Sequence, residues 1–307
     1  MSVAMPVESG GRAPPDLLPL LRMLGDLKRI RSAGREGSLA ARIFATAWAD
    51  VAAGAAVADV ARRSLRTCLA ATQLGDLDAA VLREAGIPVA EVGRIGDTAV
   101  AMAAAPLDAS MRQWLSGPLA AAVDTGMTPS FVARLAAQPR AGATSPGRGR
   151  LVLEPPENHA EHCMLVAAYG VLLAPAWGAH AETVFLAALA HHLHNALLPD
   201  AGFAGEVLLG EWLQPAMVRA TDIALAELAP APRAAVAAAC RILPDAATPE
   251  GRAFHAADTL DRVLQVEHHL RASGTRMEFV LREMELVHAG PVKPFQDAVL
   301  ARMGLSA

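Results

Sequence analysis

The sequence predicts an all-α protein, and three observations carry that expectation. Apolar residues make up 53% of the 307-residue chain and charged residues 19%, which is enough apolar surface for a large core and too much for a disordered chain. Much of the apolar count is alanine, a strong helix former that adds little buried area per residue. Aromatic residues reach only 4%, and no alternating apolar–polar stretch is long enough to demand a sheet.

Taken in order, residues 1–14 are rich in Gly, Pro and Ser and are expected to be mobile. From Pro15 to about Val89 the pattern is helical. Leu17, Leu18, Leu21 and Leu24 recur at helical spacing, and Ile43, Trp48, Val51 and Val57 continue it. Gly75 and Gly86-Ile87-Pro88 read as helix ends. Further helices are expected over 96–105, 109–124 and 128–137, the last opened by Thr128-Pro129-Ser130. Residues 138–150 contain small, breaker and basic residues without an apolar period, which marks a linker. It would separate a helical N-terminal domain, 15–137, from a C-terminal domain, 151–307. In the second half helices are expected over 158–174, 179–196, 205–228 with a break near Pro215, 231–242, 249–272, 275–288 and 293–303.

Charge and cysteine usage narrow the function classes. A net charge of −4 argues against general nucleic-acid binding, which needs a basic surface. Lys28, Arg29, Arg31 and Arg35 form one local basic stretch, expected to be a solvated helix face rather than an anion-binding one. Cys68, Cys163 and Cys240 form no CxxC pair, and no signal-peptide pattern opens the chain, so a cytoplasmic protein with reduced thiols is expected. The apolar run Cys163–Ala179 is slightly short for a membrane span and is read as buried core. Stacked alanine-rich helices could also support a homo-oligomer.

All ten histidines lie at or after position 159, and clusters of His with acidic residues are what transition-metal chemistry requires. Three segments stand out: Glu157–His162 (ENHAEH), residues 188–200 (ALAHHLHNALLPD) and residues 254–269 (FHAADTLDRVLQVEHH). Within them His159 and His162, His191 and Asn195, and His255 and Asp258 share helix faces. Adjacent His191 and His192 diverge by about 100° on a helix, so both can ligate only at a helix end or around one metal.

In order and spacing these segments resemble the HD-domain superfamily of metal-dependent phosphohydrolases, closest to the bacterial 5′-deoxyribonucleotidase-like group. The resemblance covers residues 154–273. It implies an HD-like helical bundle in the C-terminal half, with His162, His191 and Asp258 as metal ligands and Asp200 as an acidic residue following the second motif. Two positions depart from the pattern: His192 stands where the HD pair has aspartate, and Asn195 where a catalytic glutamate is usual. A neutral imidazole offers one lone pair and cannot bridge two metals as a carboxylate does. One divalent transition metal, Zn, Fe, Mn, Co or Ni, held by His162, His191, His192 and Asp258 is therefore expected. Asn195 cannot accept a proton, so that role would pass to Asp200, His194 or solvent held by the metal.

The resemblance thus implies a phosphohydrolase acting on a nucleotide or other small phosphorylated substrate. The alternative is a catalytically degenerate HD-like signalling or scaffold protein, and a less favoured third is an oxygen-dependent metal enzyme. Arg219, Arg241 and Arg252 are candidate phosphate contacts. His159 is expected to face solvent or support the site, His255 to orient Asp258 or lie on the surface, and His268 and His269 to be exposed. Trp177 and Trp212 read as core packing.

Overall fold

A computed structural model describes residues 15–119, 128–274 and 276–305. Among them the chain is all-α, with no strand and only three isolated bridges. Among the described residues seven helices precede the central one: α1 (Leu18–Gly25), α2 (Leu39–Ala52), α3 (Val57–Leu74), α4 (Ala79–Glu84), α5 (Val89–Ala103), α6 (Ala109–Ser116) and α7 (Ser130–Ala137). Then follow α8 (His159–Trp177), α9 (Ala181–Ala190), α10 (Gly202–Leu209), α11 (Leu213–Leu225), α12 (Pro230–Ala239), α13 (Pro249–Ser273) and α14 (Lys293–Arg302). The expected mobile segment 1–14 and the end of the helix expected over 109–124 lie outside the described residues.

Helix α8 is the axis of the fold. Asn158 opens it with a capping box: its side chain accepts from Glu161 N–H, and the Glu161 carboxylate accepts from Asn158 N–H. Those reciprocal bonds satisfy two orphan donors of the first turn and fix where the helix begins. All sixteen residues from His159 to Ala174 are buried, because α13, α9, α2, α3 and α7 surround it. By length and composition α8 could cross a membrane, but 89% of its apolar window is buried inside the fold. It is a core helix.

Several sequence expectations change in detail. The helix expected over 179–196 stops at Ala190, and Leu193–Ala196 is a 3-10 turn. The span 205–228 is divided by a 3-10 turn at Gly210–Trp212, just before Pro215. In place of the helix over 275–288 there is a single π turn at Phe279–Glu283. Trp212 is 70% exposed rather than core, because α10 and this turn bury none of their residues. Trp177 does pack, edge-on against Phe295 with ring centroids 6.0 Å apart.

The basic stretch is not a solvated helix face. The second 3-10 turn ends at Lys28, and the cations that follow meet the protein's own carboxylates. Lys28 is buried against Glu157 and Asp261, Arg31 lies 3.5 Å from Glu161, and Arg35 pairs with Asp76 and Asp78. An ammonium is tolerated in a core only when paired in this way.

Residues 138–150 run as a strap along the C-terminal helices. Arg140 N–H donates to Glu157 O, Ala143 and Leu151 exchange both backbone bonds, and Ala141 N–H donates to Asp200 Oδ2. Ala141, Ala143, Thr144 and Ser145 are buried. Gly142 makes the strap's closest approach at φ +76°, where a Cβ would lie 2.2 Å from the Leu151 carbonyl oxygen. Only glycine fits there. One apolar cluster extends from Leu17 to Leu305 across both halves of the chain.

Candidate metal centre

The three histidine-bearing segments come together where α8, α9 and α13 meet. His162 sits in the first turns of α8 and is fully buried. His191 is the C-cap of α9, and His192 follows in a non-helical conformation (φ −109°, ψ 20°). The end of α9 lets both neighbouring imidazoles reach one point, which a continuous helix would forbid. Asp258 comes from the middle of α13.

His162 Nε2 lies 3.1 Å from His191 Nε2 and 3.1 Å from Asp258 Oδ1, while His191 Nε2 lies 3.9 Å from Asp258 Oδ1. One ring nitrogen each of His162, His191 and His192 falls within 4.8 Å of the others. Each imidazole is held from behind through Nδ1: His162 by Asp261 Oδ2 at 2.7 Å, His191 by Ala188 O at 2.6 Å and His192 by Asn195 Oδ1 at 2.8 Å. The Asn195 amide is oriented by its own bond from Nδ2 to Leu198 O, so oxygen faces His192. All three partners are acceptors, which places the proton on Nδ1 and a bare lone pair on Nε2.

Two imidazole lone pairs and a carboxylate oxygen at these spacings cannot hydrogen-bond to one another. An imidazolium at His162 could donate to Asp258 but would leave His191 Nε2 without a partner. A divalent cation satisfies all of them. Bonds of about 2.0–2.2 Å in a tetrahedron place donor atoms about 3.3 Å apart, within the observed range of 3.1 to 3.9 Å. The donors present therefore fit a transition metal, and the nitrogen-rich set fits zinc, iron, cobalt or nickel better than magnesium.

Burial favours the neutral form of two of the imidazoles. Burial, reinforced by His162, pushes His191 down to about 3. Burial and the neighbouring histidines hold His192 well below its ordinary value. Burial alone would raise the Asp258 carboxyl, but His162, Arg262 and His191 together pull it well below the carboxylate range. A second acidic set, Glu157, His162 and Asp261, also converges. Its centre is taken by the ammonium of Lys28, which contacts Glu157 and both oxygens of Asp261.

His191, His192 and Asp258 open onto a cleft of about 880 Å³ that His194, Asp200 and Glu206 also line. His194 is pushed down to about 4 by burial, against the opposing effect of Asp200. Asp200 accepts from Ala141 N–H on one oxygen and Gly202 N–H on the other, at 2.9 and 2.8 Å, and ties the strap to the cleft wall. His159 is fully buried, not solvent-facing; both its ring nitrogens lack a hydrogen-bond partner, and Nε2 is 3.9 Å from Asp200. His255 is buried on the cleft wall, His288 stacks on Phe203, and His268 is exposed as expected.

Arg219, Arg241 and Arg252 do not line this cleft; Arg140 and Arg262 do. Arg252 instead donates to the carbonyls of Ala246 and Ala247. Arg262 and Asp261 were discoverable in principle, since they stand four and three residues after Asp258 on α13 and share its face. Glu157 opens the first histidine-bearing segment, whereas Arg140 and Lys28 carried no such signal, because tertiary folding alone brings them here. Comparison with protein-family models, curated proteins and solved structures finds no match to this chain.

Proposed function

We propose that the chain is an HD-like metal-dependent phosphohydrolase acting on a small phosphorylated substrate. The observation that carries this is that His162 and His191 converge with His192 on one side and with Asp258 on the other, each imidazole backed at Nδ1 by an acceptor. These four residues would hold one divalent transition metal. Such an ion, when bound, supplies Lewis acidity to a phosphoryl oxygen and acidifies its water ligand. The order of the three segments along the chain and their meeting on α8, α9 and α13 support the HD-like assignment.

The chain's own residues supply the rest. Arg140 and Arg262 line the same cleft, and a guanidinium fork matches the oxygens of a phosphoryl group. Desolvation by itself would weaken the Arg140 cation, but Glu157 and Asp258 more than restore it, so it stays charged. Both oxygens of Asp200 already accept backbone N–H groups, which leaves His194 as the better placed proton carrier. The imidazole of His194 faces the cleft two residues beyond the ligand pair.

A metal-holding scaffold without turnover is the second reading. Asn195 favours it, since this side chain is spent on orienting His192 and cannot transfer a proton. Elemental analysis of protein purified without a histidine tag tests the metal first. The wild type is expected to carry near-stoichiometric zinc, iron, manganese, cobalt or nickel, and His191→Ala to lose it. A screen of phosphomonoesters and phosphodiesters then separates enzyme from scaffold. A wild type that takes up none of these ions after incubation with each would sink the proposal.

A further inference from the structure

We propose that Lys28, delivered by the N-terminal half of the chain, is a positioning residue of the metal centre. It fixes Asp261 so that His162 turns its Nε2 lone pair toward His191, His192 and Asp258. This rests on the metal-binding function proposed above.

Lys28 is 4% exposed, and an ammonium so deep in a core is retained only when its donors are matched. Two are matched by hydrogen bonds, to Glu157 Oε1 and Asp261 Oδ2, and Asp261 Oδ1 adds an ion-pair contact. Nζ contacts Glu157 Oε1 and lies 2.7 and 2.8 Å from the two oxygens of Asp261. Asp261 Oδ2 then accepts the His162 Nδ1 proton at 2.7 Å. On the other side, Arg140 Nε lies 3.6 Å from Glu157 Oε2. The result is a row of alternating charge, Arg140, Glu157, Lys28, Asp261, ending on a ligand imidazole. Both its ends reach the centre, since Arg140 lines the cleft that Asp258 lines.

The ammonium does two things for His162. It occupies the alternative pocket of Glu157, His162 and Asp261, so a divalent ion is directed to the Nε2 side of the ring. It also holds the Asp261 carboxylate, by a hydrogen bond to Oδ2 and an ion-pair contact to Oδ1, with Oδ2 aimed at Nδ1. Released from that clamp, Asp261 can rotate and His162 can adopt the tautomer with its proton on Nε2, which has no lone pair to offer a metal.

The full chain, stripped of metal with a chelator and labelled with ¹⁵N at histidine, gives a direct test. Long-range ¹H–¹⁵N correlation, with the His162 signal assigned from His162→Gln, is expected to show an Nδ1-protonated ring in the wild type. In the charge-balanced variant Lys28→Met/Glu157→Gln, shown to be folded by circular dichroism, that signature is expected to be lost. Its cobalt(II) dissociation constant is expected to rise about tenfold or more, as for other supports behind a ligand. Arg22→Met breaks the neighbouring Arg22–Glu267 pair at 2.7 Å, also between the N-terminal region and α13. It should change neither readout, which separates positioning from mere loss of an ion pair.

An unchanged His162 signature together with unchanged cobalt affinity in the folded variant overturns the proposal. If that variant does not fold, Lys28→Arg carries the test. Its longer, planar head displaces Asp261, and wild-type behaviour in both readouts overturns the proposal equally. A wild type that shows the Nδ1-protonated ring but binds no cobalt defeats the metal function and leaves the role of Lys28 standing.

Discussion

An imidazole can ligate only when its proton rests on the other nitrogen, and the three histidines of this centre achieve that with three different acceptors. A carboxylate serves His162, a backbone carbonyl His191 and a side-chain amide His192. The amide is the one most easily removed without disturbing the core. Asn195→Ala is expected to keep the fold, since the residue bonds only locally. It should weaken metal affinity about 10–100-fold, the usual range for a lost support behind a ligand. Competition with a chromogenic chelator would measure this, and an affinity within twofold of wild type would refute the assignment. From sequence, Asn195 reads as a lost catalytic glutamate, and nothing in the order of residues indicates that it orients its neighbour. The candidate ligands His162, His191 and Asp258 stand out in the sequence by their spacing, and the fold brings their side chains together. Of their supports, Asp261 and Ala188 lie within one helical turn of a candidate ligand, whereas Lys28 reaches the site only through the fold.

At the scale of elements, the centre depends on how closely α8 and α9 approach. Gly170 on α8 permits that contact: a Cβ there would lie 2.6 Å from Val184 Cγ1 on α9. Glycine within a helix ordinarily costs about 1 kcal/mol relative to alanine, so Gly170→Ala has a propensity gain to set against the clash. The clash should win, because Val184 is β-branched, stiff and fully buried. A net loss of about 1–2 kcal/mol is expected, within the range for overpacked cores, and denaturant melts would measure it. Val184→Ala in the same chain should relieve much of that loss, so the two changes should be non-additive. A Gly170→Ala protein as stable as wild type would show that the helices are not held at this distance. The helices were broadly legible from their apolar period. Their ends were less so: the stop after Ala190 has no glycine or proline to announce it, yet it lets His191 and His192 share a target.

At the scale of the whole molecule, the relation between the two halves decides what the N-terminal region does. The sequence suggests a linker at 138–150, and composition alone supports no other conclusion. Yet Arg140, Ala141 and Ala143 are bonded to Glu157, Asp200 and Leu151 in the loops of the C-terminal half, and α2, α3 and α7 pack on α8. Trp48 lies fully buried within this N-terminal layer, edge-on to Phe131 at 4.8 Å and to Phe44 at 6.3 Å. A variant with Trp114, Trp177 and Trp212 replaced by Phe would make fluorescence report on Trp48 alone. A metal bound only by the folded state, supplied at 100 times its dissociation constant, stabilises by about 2.7 kcal/mol. If the continuous apolar cluster makes the chain one cooperative unit, that increment must appear at Trp48 as fully as at the metal centre. The Trp48 melting midpoint and that of the cobalt absorbance are therefore expected to coincide and to rise together as cobalt is added. A Trp48 transition that stays fixed while the cobalt signal shifts would mean that residues 15–137 fold on their own. Lys28 would then have to hold its place across an interface between two independently melting parts, a far weaker arrangement for a residue that steadies a metal ligand.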